Sequence, residues 1–134
     1  MRFVIVALLL LGCTPGVSPS PTVTTNTLLG SFELHGANAF TKGGPTCKGT
    51  GGYDDIAVGA QITVKDEAGA IIATGALGSG TSTTNVTVCT FHFTVADVPD
   101  VAFYSIEVSH RGELTYSAAE MAAKNWQVAF TLGD

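Results

Sequence analysis

From Leu28 onward the chain alternates apolar and polar residues, the pattern of strands with one buried face. Leu28 to His35 places Phe32 and Leu34 on one side and Glu33 and His35 on the other. Gln61-Ile62-Thr63-Val64-Lys65 alternates cleanly, Asp66-Glu67-Ala68-Gly69 reads as a turn, and Ala70 to Leu77 returns as its partner. Val86 to Val95 is the most regular stretch, with Cys89, Phe91, Phe93 and Val95 on one face and Thr90, His92 and Thr94 opposite. Asp97-Val98-Pro99-Asp100 is expected to break it. A further strand is predicted from Phe103 to Ser109, with Tyr104, Ile106 and Val108 inward and Ser105 and Glu107 outward, closed by a turn at His110-Arg111-Gly112-Glu113. Trp126, Val128, Phe130 and Leu132 alternate as the last strand.

Two stretches interrupt the alternation by being Gly-rich: Gly36 to Asp55, expected as a long surface loop carrying Cys47, and Gly78 to Thr84, expected as a flexible connection. One stretch interrupts it by being helical. Ser117-Ala118-Ala119-Glu120 is a capping box, in which Ser and Glu each satisfy an orphan amide at a helix start. Met121 to Lys124 extends it for about two turns, with Lys124 suited to the negative end of the helix dipole. Short strands at this spacing, with turn chemistry between them, predict an all-β antiparallel sandwich with one short helix near the C-terminus.

The N-terminus follows different rules. Met1-Arg2 is a minimal positive segment, and Phe3 to Leu11 is an unbroken apolar run of nine residues. That suits the hydrophobic region of a signal peptide and is too short to span a bilayer. The run ends in Leu10-Leu11-Gly12-Cys13, which resembles the bacterial lipobox. The resemblance implies that the Cys13 thiol receives a diacylglyceryl group and that cleavage follows just before it. Leu11 is bulkier than the pattern usually carries at its position. Thr14 to Thr27 is rich in Pro, Ser and Thr and uncharged, and reads as an extended spacer. Residues 1–12 are thus expected as a lipoprotein signal peptide, 13–27 as lipidated Cys13 and its tether, and 28–134 as the sandwich domain.

Lipidation also rationalises the cysteine count. The chain has three cysteines, at 13, 47 and 89. With Cys13 acylated, Cys47 and Cys89 are left to pair, and a secreted protein has no stray thiol to explain. A bridge across that span is worth roughly 4 kcal/mol in the chain-entropy model. The alternative is a Cys/His metal site drawing on His35, His92 or His110, but no CxxC or HxxxH spacing supports it.

The middle of the chain, about Ala60 to Ser109, resembles the carboxypeptidase regulatory-like and transthyretin-like β-sandwiches. The resemblance rests on Ile62 to Gly75 with its Asp66-x-x-Gly69 turn, on Phe91-His92-Phe93-Thr94-Val95, and on Val98-Pro99 leading to Phe103-Tyr104-Ser105-Ile106-Glu107-Val108. It implies a seven- or eight-stranded Ig-like or prealbumin-like sandwich and no catalytic residues. The cysteine pair, the Gly36–Asp55 loop and the C-terminal helix depart from that pattern. The whole chain is also similar in style to small lipoproteins of high-GC Gram-positive bacteria and their phages.

Composition narrows the function. With 134 residues there is room for one domain. Charged residues make up only 13% of the chain, about half the usual share. Removing Arg2 with the leader leaves five Lys/Arg against eleven Asp/Glu, a net charge of −6 compared with −5 for the whole chain. No basic stripe matches a phosphate backbone, so nucleic acid is not an expected partner. Gly43 to Gly52 lacks the GK[ST] ending of a P-loop. No GxSxG or HExxH motif is present, and no cofactor or metal is expected. Asn85-Val86-Thr87 is a formal glycosylation sequon of little meaning in a bacterium.

Two loops hold the candidate chemistry, and Tyr53, Asp54 and Asp55 beside the Gly-rich stretch, with His110 and Arg111, form the expected binding loop if the domain has a functional surface. Tyr53, Asp54 and Asp55 place two acids beside the Gly-rich stretch; they suit a turn, an ion pair with Arg111 or Lys48, or Ca²⁺ ligation. His110, Arg111 and Glu113 crowd one turn. Single His35 and His92 fall on polar strand faces, and Tyr104 and Trp126 are expected in the core or at its rim. The expected function is a non-catalytic interaction module, anchored on the extracytoplasmic face of the cell membrane, whose partner is an envelope protein or a cell-wall component. The alternatives are a phage-encoded superinfection-exclusion lipoprotein, and an envelope enzyme that would need Asp54, Asp55, His110 or Glu113 to converge on one pocket.

Overall fold

The computed structural model describes residues 12–82 and 87–133. The expected signal peptide, apart from Gly12, lies outside those residues, as do Asn85 and Val86 of the sequon. Residues 13–24 form no strand or helix and are exposed. From Thr25 onward the protein is an all-β sandwich, mostly antiparallel, with one short helix near the C-terminus.

Its strands are β1 (Thr25–His35), β2 (Phe40–Gly43), β3 (Thr46–Gly49), β4 (Gln61–Lys65), β5 (Ile71–Leu77), β6 (Gly80–Thr81), β7 (Val88–Pro99), β8 (Phe103–Val108), β9 (Glu113–Ser117) and β10 (Gln127–Leu132); helix α1 spans Ala118–Ala123. The long strand β7 organises them. Along one edge it pairs with β1 over its full length, from Thr25 opposite Pro99 to His35 opposite Val88. Its other edge is shared: β5 takes Thr94 and Phe93, and β6 takes Thr90. From β5 the sheet continues through β4 and β8 to β9, and from β6 through β3 to β2.

The predicted alternation fills the core. Phe32 and Leu34 of β1, Cys89, Phe91, Phe93 and Val95 of β7, Ile62 and Val64 of β4, and Tyr104, Ile106 and Val108 of β8 are all buried. Full burial of each large apolar side chain is worth about 1.5–3 kcal/mol. Phe93 lies across Gly30, where a Cβ would come within 2.0 Å of the ring; that position must be glycine for the ring to cover the strand. Tyr104 is a core residue with a polar task. Its hydroxyl donates to the Pro99 carbonyl at 3.2 Å and accepts from the Val101 amide at 3.0 Å, which fixes the β7–β8 turn. Trp126 packs edge-on against it at 5.1 Å.

The structure corrects the expected pattern in several places. The Gly36–Asp55 stretch is not a loop: it folds as the β2–β3 hairpin and a 3-10 turn at Gly51–Tyr53. Gly44, at φ +68, and Pro45 form the two-residue connection between the strands. The Gly78–Thr84 connection contributes β6. Strand β7 runs through the expected break to Pro99 by means of a bulge. The register steps from Leu28 opposite Val95 to Asn26 opposite Val98, and Asp97 takes φ +57. Strand β9, unforeseen, follows the His110–Glu113 turn. Strand β1 starts at Thr25, inside the stretch expected as tether. Ten strands occur among the described residues rather than seven or eight.

One pairing breaks the antiparallel rule. Strand β10 lies parallel to β1, with Leu29 opposite Gln127 and Leu34 opposite Leu132. Parallel neighbours need a crossover, and α1 forms the last part of this one. Its capping box is as predicted, with Ser117 accepting from the Glu120 amide and the Glu120 carboxylate accepting from the Ser117 amide. The helix buries Met121 and ends at Lys124, after which Asn125 and Trp126 turn the chain at positive φ into β10.

Candidate functional site

The register separates the molecule into two ends. Thr25 and Pro99 mark one, and the Asn26 side chain ties it to the β7–β8 turn through a 2.7 Å hydrogen bond to Asp100. His35 and Val88 mark the other, about 33 Å away at 3.3 Å per strand residue. The β4–β5 turn and α1 belong to the Thr25 end, where Ala118 bonds the Ala102 carbonyl. The β2–β3 hairpin, the 3-10 turn and the β8–β9 turn gather toward the other. Both loops singled out in the sequence therefore lie away from the segment bearing Cys13.

Arg111 joins those loops. Its Nε donates to Asp55 Oδ2 at 2.8 Å, and a second guanidinium nitrogen donates to Asp55 Oδ1 and to the Gly52 carbonyl. The guanidinium also lies over the Tyr53 ring, 5.4 Å from its centre. The Arg111 hydrogen bonds hold the Asp55 carboxyl down at about 2, outweighing the opposing effect of burial. The fold-back that brings the acid here depends on Gly49, where a Cβ would lie 1.9 Å from the Tyr53 carbonyl oxygen. Of the roles open to the paired acids, the structure thus gives Asp55 the ion pair with Arg111. Asp54 is exposed and caps the end of the 3-10 turn.

The neighbouring ionisable groups take other partners. Lys65 donates to Glu107 at 3.0 Å and to Glu113. Those contacts raise the lysine's pKa, chiefly through Glu113, and lower that of Glu107, chiefly through Lys65. His110 sits at φ +60 with its ring 90% exposed, its Nδ1 3.2 Å from Glu107. Arg111 and Glu113 line one shallow groove of about 250 Å³ against Ala129, Phe130 and Thr131 of β10. Asp54, Asp55 and His110 do not line that groove. Among the described residues, no three His, Cys, Asp or Glu side chains cluster as metal ligands. His35 is half-buried against Glu33 at 3.0 Å, and His92 is exposed on the outer face of β7.

Cys47 and Cys89 pair as expected, in a disulfide with their Cα atoms 6.0 Å apart, and Cys13 is exposed. This staple fastens β3 to β7 and borders a groove whose shape the sequence does not show, although much of it comes from the Gly-rich stretch beside the expected binding loop. This groove lies beside the hairpin, has a volume of about 420 Å³, and is lined by β2, β3, the Ala57-Val58 segment and Ser79-Gly80. Its residues come from four separate stretches, and Lys48 had been read only as a possible ion-pair partner. Comparison of the chain with protein-family models, with curated proteins and with solved structures finds no match.

Proposed function

We propose that this chain is a lipid-anchored lipoprotein of the extracytoplasmic face of the cell membrane, with a non-catalytic binding domain directed at an envelope protein or a cell-wall component. The observation that carries the reading is the state of the three cysteines. Two are consumed by each other inside the sandwich, while Cys13 is exposed at the head of an extended, exposed segment. At about 3.1 Å per residue for a Pro-rich chain, residues 13–24 reach at most roughly 37 Å. That is enough to hold the domain clear of a lipid surface. Two acyl chains supply stable anchorage where one is marginal. Among the described residues no helix is long and apolar enough to cross a membrane, which is compatible with a lipid anchor.

The test is the mass of the protein isolated from membranes of its native host. An N-terminus at Cys13 with added diacylglyceryl mass is the expected result, and Cys13→Ala should leave the precursor uncleaved or release the domain. A water-soluble native protein with an unmodified Cys13 overturns the reading.

A further inference from the structure

The groove beside the disulfide has an unusual balance of charge for so acidic a chain. Its lining holds Lys42 and Lys48 and no carboxylate, although the chain carries eleven Asp/Glu against six Lys/Arg. Of the other cations in the fold, Lys65 is engaged by Glu107 and Glu113, Arg111 by Asp55, and Lys124 over the Tyr116 ring, and Lys42 too has a partner. Lys48 is exposed, and no carboxylate lines the groove with it.

The register places hydroxyls on both sides of it. Thr41 of β2 lies directly opposite Lys48. Cys47 lies opposite Gly80, so one residue further on Ser79 comes beside Lys48. Thr41, Lys48 and Ser79 therefore form one row across three neighbouring segments, all exposed and all lining the groove. Thr46 adds a hydroxyl one step along the same face, and Val58, 67% exposed, forms an apolar rim. The Cys47–Cys89 disulfide lies beside the row, at the residue before Lys48. No aromatic side chain lines the groove, so it offers no stacking platform for a nucleobase or a sugar ring.

We propose that this groove binds a phosphodiester-linked polyol chain of the cell wall. Lys48 meets one phosphate as a point charge, the flanking hydroxyls bond the polyol, and Val58 covers its carbon backbone. The proposal rests on the reading of the domain as a binding module, but not on the state of Cys13.

The experiment is an NMR titration of the purified full-length chain in non-ionic micelles with an oligo(glycerol phosphate). A neutral glycerol oligomer and a single-stranded oligonucleotide serve as comparison probes. Shifts should be confined to the β2–β3 hairpin, residues 57–58 and residues 79–80, with neither comparison probe matching the affinity. Lys48→Gln should weaken binding roughly tenfold or more, while Lys48→Arg retains most of it and Lys124→Gln leaves it unchanged. No binding at millimolar probe, equal binding of either comparison probe, or an unaffected Lys48→Gln variant overturns the assignment. Failure here with an acylated Cys13 removes the ligand and leaves the anchor standing; binding by a chain that proves unacylated does the reverse.

Discussion

Arg111 contacts three groups that are distant from it in sequence but adjacent in the fold. Asp55 lies 56 residues away, and the same guanidinium reaches the Gly52 carbonyl and the Tyr53 ring. The consequence for stability follows from the direction of the Asp55 shift. Its folded pKa, about 2, lies below that of an unfolded Asp, near 3.9. The pair therefore stabilises the fold at pH above about 4, and the contribution disappears as pH falls through about 2. The two side chains are 28% and 36% exposed, so solvent screening keeps the benefit to about 1 kcal/mol or less. Asp55→Asn should cost up to that amount near neutral pH in urea unfolding, and the cost should shrink as pH falls from about 4 through about 2. A difference that stays constant across that range would show that the charge is not the stabilising element.

At the scale of elements, legibility tracked one-sided burial. Strands β7, β8 and β10 bury alternate residues, so Phe91, Tyr104 and Val128 announced their faces in the sequence. Strands β2 and β3 are four residues each, with only Phe40, Cys47 and Gly49 buried, and their glycines looked like loop. Strand β9 buries nothing fully; Leu114 and Tyr116 are merely half-covered. Alternation also carries no information on direction, which is why the parallel β1–β10 pairing was invisible. The same limit applies to the sites. The Asp55–Arg111 pair could be named as one option because both residues sit in recognisable turns. The row of Thr41, Lys48 and Ser79 could not, because it exists only in the cross-strand register. The capping box, by contrast, is wholly local, and it was read correctly. It also carries weight beyond the helix, because α1 delivers the chain to β10. Ser117→Ala should destabilise the fold by about 1 kcal/mol and speed hydrogen exchange in β10 more than in β4. Equal exchange changes in the two strands would separate the cap from the crossover.

For the whole molecule the decisive question is what holds the β2–β3 hairpin to the sandwich. Among the described residues, strand β3 meets β6 through two paired positions, Thr46 with Thr81 and Cys47 with Gly80, and β6 in turn meets β7 through one, Thr81 with Thr90. Cross-strand pairing of that extent is weak. The Cys47–Cys89 bridge bypasses it and fixes the hairpin to the central strand, with Cys89 fully buried in the core. Two effects follow from cutting it. The unfolded chain regains the freedom of a loop whose ends lie 42 residues apart, worth at most roughly 4 kcal/mol. The native hairpin also becomes free to open on its own. Cys47→Ser should therefore lower the unfolding free energy by about 2–4 kcal/mol, and it should expose the amides of β2, β3 and β6 to exchange well before those of β4, β8 and β9. The two readouts discriminate. A large loss with uniform deprotection would mean that the bridge acts only through the unfolded chain. A loss under about 1 kcal/mol would mean that the packing of Phe40 and Ile56 already holds the hairpin in place. The expected graded pattern assigns the disulfide a second task, keeping the groove-bearing end as rigid as the core behind it.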